Sequence, residues 1–135
     1  MILETTVTEV RSFLQNCKFR ELCDRYFSPN FWWIIRGTSK LSGEYRDKEE
    51  FFSQVINPLN RLISPGWKMH LLEVYKDEPN NVLIVEMKGE ARTIWGGSYN
   101  NEYCWIFQFD KTGTQVIKLT AYYDSLLVNE TLAHQ

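Results

Sequence analysis

The chain has 135 residues, 44% of them hydrophobic and 15% aromatic, and a formal net charge of -2. That size and apolar content suit a single domain, residues 1–135, with a substantial core, and mixed charges without a basic stripe give no reason to expect a nucleic-acid partner. Cys17, Cys23 and Cys104 are an odd count with no close pair, which fits reduced thiols in a cytoplasmic setting, and no run has the apolar length of a signal-peptide core or a membrane span.

In chain order, Val7, Val10, Phe13 and Leu14 fall at helical spacing over Thr6 to Asn16. Phe19, Leu22, Cys23, Tyr26 and Phe27 continue the period until Ser28-Pro29-Asn30 stops it. The spacing predicts two short helices or one bent one. Phe31-Trp32-Trp33-Ile34-Ile35 is a β-prone run that ends at Arg36-Gly37-Thr38, a first strand before a loop or short second strand turning at Leu41-Ser42-Gly43. Asp47 and Glu50 make a capping-box pattern ahead of the stripe Phe51, Phe52, Val55 and Ile56, so a third helix starts there. Pro58 removes a backbone donor and predicts a kink or restart before Leu59 and Leu62; Ser64-Pro65-Gly66 is the stop.

The period then switches to two. Trp67 to Lys76, Val82 to Thr93, Tyr99 to Phe109 and Thr114 to Asp124 read as four long strands with short links, hence an antiparallel meander. On the second of these, Leu83, Val85, Met87, Gly89 and Ala91 form an apolar face expected to meet Phe109, Phe107 and Trp105. Glu86, Lys88, Glu90 and Arg92, with Glu102, Ile106, Ile117 and Leu119, suggest the opposite face, either a dimer surface or a solvated one. Helices first and a sheet afterwards make an α+β fold in which helices cover one face of a curved sheet.

The candidate chemistry lies in the last hairpin. Tyr99, Asn101, Tyr103, Trp105, Phe107 and Phe109 alternate on one strand face, and Val116, Thr120, Tyr122 and Asp124 keep that period on the next. A turn at Lys111-Thr112-Gly113 that pairs Phe109 with Thr114 sets Asp124 beside Tyr99 and Thr120 beside Tyr103. Two phenols and a carboxylate then share one cavity mouth. An apolar cavity penalises the ionised carboxyl, which suits Asp124 to acid-base work; otherwise it caps a strand end or pairs with Arg36. Tyr99 and Tyr103 are donors to an enolate-like or alkoxide oxygen, or they fill space with satisfied hydroxyls.

Arg36 anchors a carboxylate or carbonyl of the substrate, or bridges to Glu44 or Asp47 at the surface. His70 faces inward near Met87 if Leu72 and Val74 meet Val85 and Leu83, a place for a proton shuttle or for a satisfied lone histidine. Trp33, Trp105, Met87, Asn101, Thr120 and Tyr122 complete the expected substrate-binding lining. His70 and His134 stand far apart with no cluster of metal-ligating residues, so neither a metal nor a cofactor is expected. Gly96-Gly97 leads into a strand rather than a helix, so it is no phosphate cradle, and no serine-nucleophile or Walker pattern occurs.

Gly37-Thr38, Leu41-Ser42-Gly43, Tyr45, Tyr99-Asn100-Asn101-Glu102-Tyr103-Cys104-Trp105 and Ala121-Tyr122-Tyr123-Asp124, in this order of elements, resemble the SnoaL-like branch of the nuclear transport factor 2-like (NTF2-like) superfamily. That superfamily also holds ketosteroid isomerases, limonene epoxide hydrolases and polyketide cyclases. The resemblance spans nearly the whole chain. It implies a cone-shaped, cystatin-like half-barrel of curved antiparallel sheet closed by three N-terminal helices, a deep hydrophobic cavity, and a homodimer through the outer sheet face. It puts Asp124 where SnoaL-like cyclases keep an acid-base aspartate, Tyr99 and Tyr103 at aromatic positions common in the branch, and Arg36 where relatives carry a pocket residue. The epoxide-hydrolase pattern of two acids flanking an arginine is absent around Arg92. The implied function is a cofactor-independent isomerase or cyclase acting by acid-base catalysis on a hydrophobic natural-product intermediate. The alternative is a non-catalytic ligand-binding or dimerisation module on the same fold.

Overall fold

Among the described residues, each of four helical units buries the stripe that its spacing offers. In the computed structural model, which describes residues 1–134, α1 (Glu4–Gln15) sinks Val7, Val10 and Leu14, and α2 (Phe19–Tyr26) sinks Phe19, Leu22, Cys23 and Tyr26. The two are separated at Cys17, whose φ of 54° is left-handed. A non-glycine residue holds that conformation only where the packing on both sides enforces it, so this segment is two helices and not one bent one. α3 (Lys48–Phe51) starts at the expected cap, where Asp47 accepts a hydrogen bond from the Glu50 N–H at 2.9 Å. It runs through a π-helical turn (Phe52–Ile56) into α4 (Asn57–Leu62). Pro58 lies in the first turn of α4 and has no N–H to donate; the wide turn before it absorbs the loss, and the helix restarts instead of breaking.

β1 (Trp33–Ile35), β2 (Gly43–Tyr45), β3 (Lys68–Asp77), β4 (Val82–Glu90), β5 (Glu102–Phe109) and β6 (Val116–Tyr123) form one curved, unclosed sheet in the order β2-β1-β6-β5-β4-β3. β3 to β6 are the expected antiparallel meander, with Leu83 opposite Phe107 and Val85 opposite Trp105. β1 runs parallel to β6, so the sheet is mixed where a wholly antiparallel one was expected. A parallel pair needs a long crossover, and here the intervening helices and meander supply it.

α1 packs on β3 and α2, and α3 lies beside β2. α5 (Ser125–Leu132) follows β6 and rests beside α4. It adds a C-terminal helix to the three N-terminal ones that were expected. Its stripe is thin, with only Val128 and Thr131 buried. Leu83, Val85, Phe107 and Leu119 are wholly buried between sheet and helices. Burying one such side chain stabilises by about 1.5–3 kcal/mol, against about 1 kcal/mol for a typical net hydrogen bond. Strand parity is therefore set by these residues and not by any single polar contact. No described helix is long and apolar enough to cross a membrane.

Candidate functional site

Trp33 occupies the centre of the interior, stacked on Phe51 with ring centroids 4.3 Å apart and edge-on to Trp105 at 5.0 Å. Phe19 tilts against both Trp67 and Trp105. The space these rings leave is about 40 Å³, enough for one or two water-sized groups and far below the several hundred Å³ of a preformed small-molecule pocket. Among the described residues, its wall contains no carboxylate, imidazole, amine or guanidinium.

The surface that faces this space is almost wholly apolar, and the polar atoms of its tyrosines and of Trp67 lie at its edge. The Tyr123 hydroxyl lies 2.7 Å from Ser39 Oγ, and burial pushes the phenol up to about 12. Asn101 Nδ2 donates to the Tyr99 hydroxyl at 3.4 Å. Burial raises Tyr99, and burial together with the neighbouring Tyr99 holds Tyr103 well above the ordinary range. All three are neutral near pH 7, with Tyr103 donating to Tyr99 and Tyr123 paired with Ser39. Trp67 Nε1 is buried with no hydrogen-bond partner. Gly89 makes room for it, since a Cβ there would come within 3.0 Å of Nε1 and 3.4 Å of Tyr103 Cε2. A buried N–H without an acceptor costs about 1–3 kcal/mol, so the Trp67 indole is a donor short of an acceptor.

Of the residues the sequence proposed for the site, Tyr99, Tyr103, Trp33 and Trp105 are brought together here. Met87 is buried and pairs with Tyr103 across β4 and β5. Asn101 is wholly buried but serves the backbone: its Oδ1 accepts from the Asp124 N–H at 2.9 Å and the Glu102 N–H at 2.8 Å, and its Nδ2 donates to the Asp124 carbonyl at 3.3 Å.

Among the described residues, Asp124 makes no hydrogen bond to a phenol, although it lines an open surface hollow with Tyr103 and Tyr123 and its charge raises Tyr99. It is exposed and caps α5, accepting from the Leu127 N–H at 3.2 Å. The cause is register. Phe109 pairs with Val116, not Thr114, and a bulge after Gln108 then pairs Phe107 with Leu119 and Tyr103 with Tyr123. One extra residue exchanges the two faces of a strand. Leu119, Ala121 and Tyr123 take the inward places expected for Thr120, Tyr122 and Asp124. Thr120 lies opposite Ile106, and Tyr122 opposite Cys104, on the outer face. A second bulge, between Leu71 and Glu73, turns Met69 inward and His70 outward. His70 Nε2 sits 3.0 Å from Glu90 Oε1, and this contact, with Lys68 nearby, lowers the Glu90 carboxyl. Arg36 is exposed at the end of β1; its N–H donates to the Ala121 carbonyl at 2.9 Å. The surface bridges considered for Arg36 do not form: Glu44 accepts from Trp32 Nε1 and Asp47 caps α3.

No protein-family model matches the chain, and no curated protein matches it. Solved structures do. Bal32a, from a soil-derived mobile gene cassette, aligns with a TM-score of 0.72 at 21% identity over 95% of this chain and 94% of its own. An NTF2-like protein from Burkholderia thailandensis aligns with a TM-score of 0.73 at 16% identity over 93% of each chain. The fold is the NTF2-like one. AusH from Aspergillus nidulans also shares it, with a TM-score of 0.70 at 17% identity over 90% of this chain and 82% of its own. At these identities the likeness carries the fold and not the chemistry.

Within this NTF2-like cone, sequence reasoning missed Tyr123, Ser39 and the unpaired indole of Trp67. The first needed the bulge after Gln108 to be foreseen. Ser39 sits in the loop between β1 and β2 with no periodic signal, and the Trp67 orphan depends on what Gly89 leaves open. Among the described residues, no group of three or more His, Cys, Asp and Glu is placed to hold a metal ion. What the arrangement offers chemically is hydrogen-bond donation in a water-poor space.

Proposed function

We propose that the chain binds a small apolar molecule carrying one acceptor oxygen, a ketone or similar group, and that its contribution there is hydrogen-bond donation and not proton abstraction. The observation that carries this is the interior wall: an almost wholly apolar surface, the partnerless indole N–H of Trp67 among the residues that line it, and no base among them. An acceptor oxygen there relieves the orphan donor, which is a gain that an all-hydrocarbon ligand cannot make. The interior holds only about 40 Å³, so binding proceeds by outward movement of side chains such as Met69 and Ile56, and the affinity is reduced by the rarity of the widened state. Intrinsic tryptophan fluorescence titrated with 2-decanone tests it. A saturable change supports the reading, and a flat response ends it.

A second reading, an isomerase or cyclase working at the same place, is favoured by the adjacent Tyr99 and Tyr103, which suit an enolate oxygen. It requires a proton acceptor that reaches the bound molecule. Solvent-deuterium exchange at the ketone's α-carbon separates the two readings.

The homodimer is proposed through the outer sheet face, where Tyr75, Ile84 and Ile106 form a partly exposed row across neighbouring strands that the buried Thr120 and Ile34 continue. A two-fold partner would present the same row to it. Sedimentation should give a dimer for the native chain and a monomer for Ile106→Lys; a native monomer would contradict it.

A further inference from the structure

On the helical side of the cone, a second hollow of about 240 Å³ lies between the start of α2 and the helix that runs from the π-helical turn into α4. Phe19 and Ile56 line it, and the same two side chains line the narrow interior. They are the wall shared by two chambers of unlike chemistry. The inner one is aromatic and aliphatic, with its phenols at the edge. The outer one presents Arg20, Asn57, Asn60 and Glu21.

Arg20 is the cation of the outer chamber. Its guanidinium lies over the Phe52 ring at 4.2 Å and is held by Glu49 at 2.6 and 3.2 Å. The ring and the planar fork fix its position. Its pair with Glu49 is solvent-exposed, so it is weak and a second carboxylate can exchange into it. Glu21 opposes an anion, but it is an exposed side chain that can turn to solvent. The shared wall also carries the two backbone irregularities of the helical layer: Ile56 closes the π-helical turn, and Phe19 follows the left-handed Cys17 by two residues. Both are features found where helices serve a site and not only a core.

We infer that the two chambers are one binding site for an amphiphile: its apolar body passes between Phe19 and Ile56 into the interior, and its carboxylate stays outside on Arg20 and the Asn57 and Asn60 amides. This rests on the interior being a binding site, and it adds the route, the head group and the residues that read it. Cys17 is a built-in reporter, because it lines the outer chamber and its thiol donates to the Trp67 carbonyl at 3.7 Å. Cys104, on the outer face of the sheet opposite Tyr122, is the control.

The test titrates tryptophan fluorescence with 2-decanone and with 9-oxodecanoate, which share chain length and ketone and differ in the carboxylate. Each titration is paired with N-ethylmaleimide labelling read peptide by peptide. The keto acid is expected to bind several-fold more tightly than the ketone, the size of gain that an exposed ion pair supplies. It should slow labelling of Cys17 while leaving Cys104 unchanged. Arg20→Gln should bring the two affinities together without altering that of 2-decanone, and Asn60→Ala should weaken the keto acid alone. Fluorescence changes with equal affinities, or with Cys17 labelled at the free rate, overturn the two-chamber site and leave the interior reading standing. No fluorescence change with either ligand overturns both.

Discussion

The amide of Asn101 joins the start of β5 to the end of β6 through hydrogen bonds to Glu102, Asp124 and Tyr99. Asn101→Ala leaves two half-buried N–H groups and a carbonyl without these partners, and should cost about 1–3 kcal/mol in urea unfolding. Asp124 is different. As the cap of α5, it should tolerate Asn within about 0.5 kcal/mol and lose about 1 kcal/mol on change to Ala. A large loss for Asp124→Asn would mean that its charge, and not its capping oxygen, is used. The buried phenols give a pH signature. Tyr123 in the folded chain lies at about 12, above the unfolded value of about 10, so its protonated form favours the folded state. That stability is full below about pH 10 and is lost as pH rises towards and past about 12. Tyrosinate absorbance should show late ionisation, and Tyr123→Phe should flatten the alkaline fall in stability.

Elements were legible wherever period and punctuation agreed. The α3 cap, the restart at Pro58 and the β3–β6 meander all follow from residues whose local preference and burial point the same way. Two bulges were not legible. Neither Leu72 nor the Gln108–Phe109 step carries a glycine or proline to announce it, and each reverses the parity of every residue beyond. That is why Tyr99, Tyr103, Trp33 and Trp105 could be placed from sequence while Asp124, Thr120, Tyr122 and His70 could not. α5 was hidden by its thin stripe and its position directly after a strand. The hairpin turn offers an element-scale test. Gly113 has φ 72°, and a Cβ there would run into the Met1 carbonyl. Gly113→Ala should therefore cost more than the roughly 1–2 kcal/mol of left-handed strain alone, and should loosen the amino-terminal residues in hydrogen exchange. Val128, wholly buried on α5, should cost about 2 kcal/mol on change to Ala.

At the scale of the whole molecule, an NTF2-like cone surrounds a core that is nearly filled and lined by apolar surface, with a partnerless indole N–H and no base among the lining residues. A cone of this kind that binds by opening should be least protected in hydrogen exchange at the π-helical turn, where the backbone ladder is irregular. Aromatic packing around Trp33 should hold the opposite wall fixed. The central claim is that the interior binds an oxygen-bearing apolar molecule without moving its protons. The direct measurement is deuterium incorporation at the α-carbon of 2-decanone in heavy water, at protein concentrations where fluorescence reports the ketone bound. Saturable binding with exchange no faster than in buffer is expected. Accelerated exchange that Asp124→Asn abolishes would contradict it.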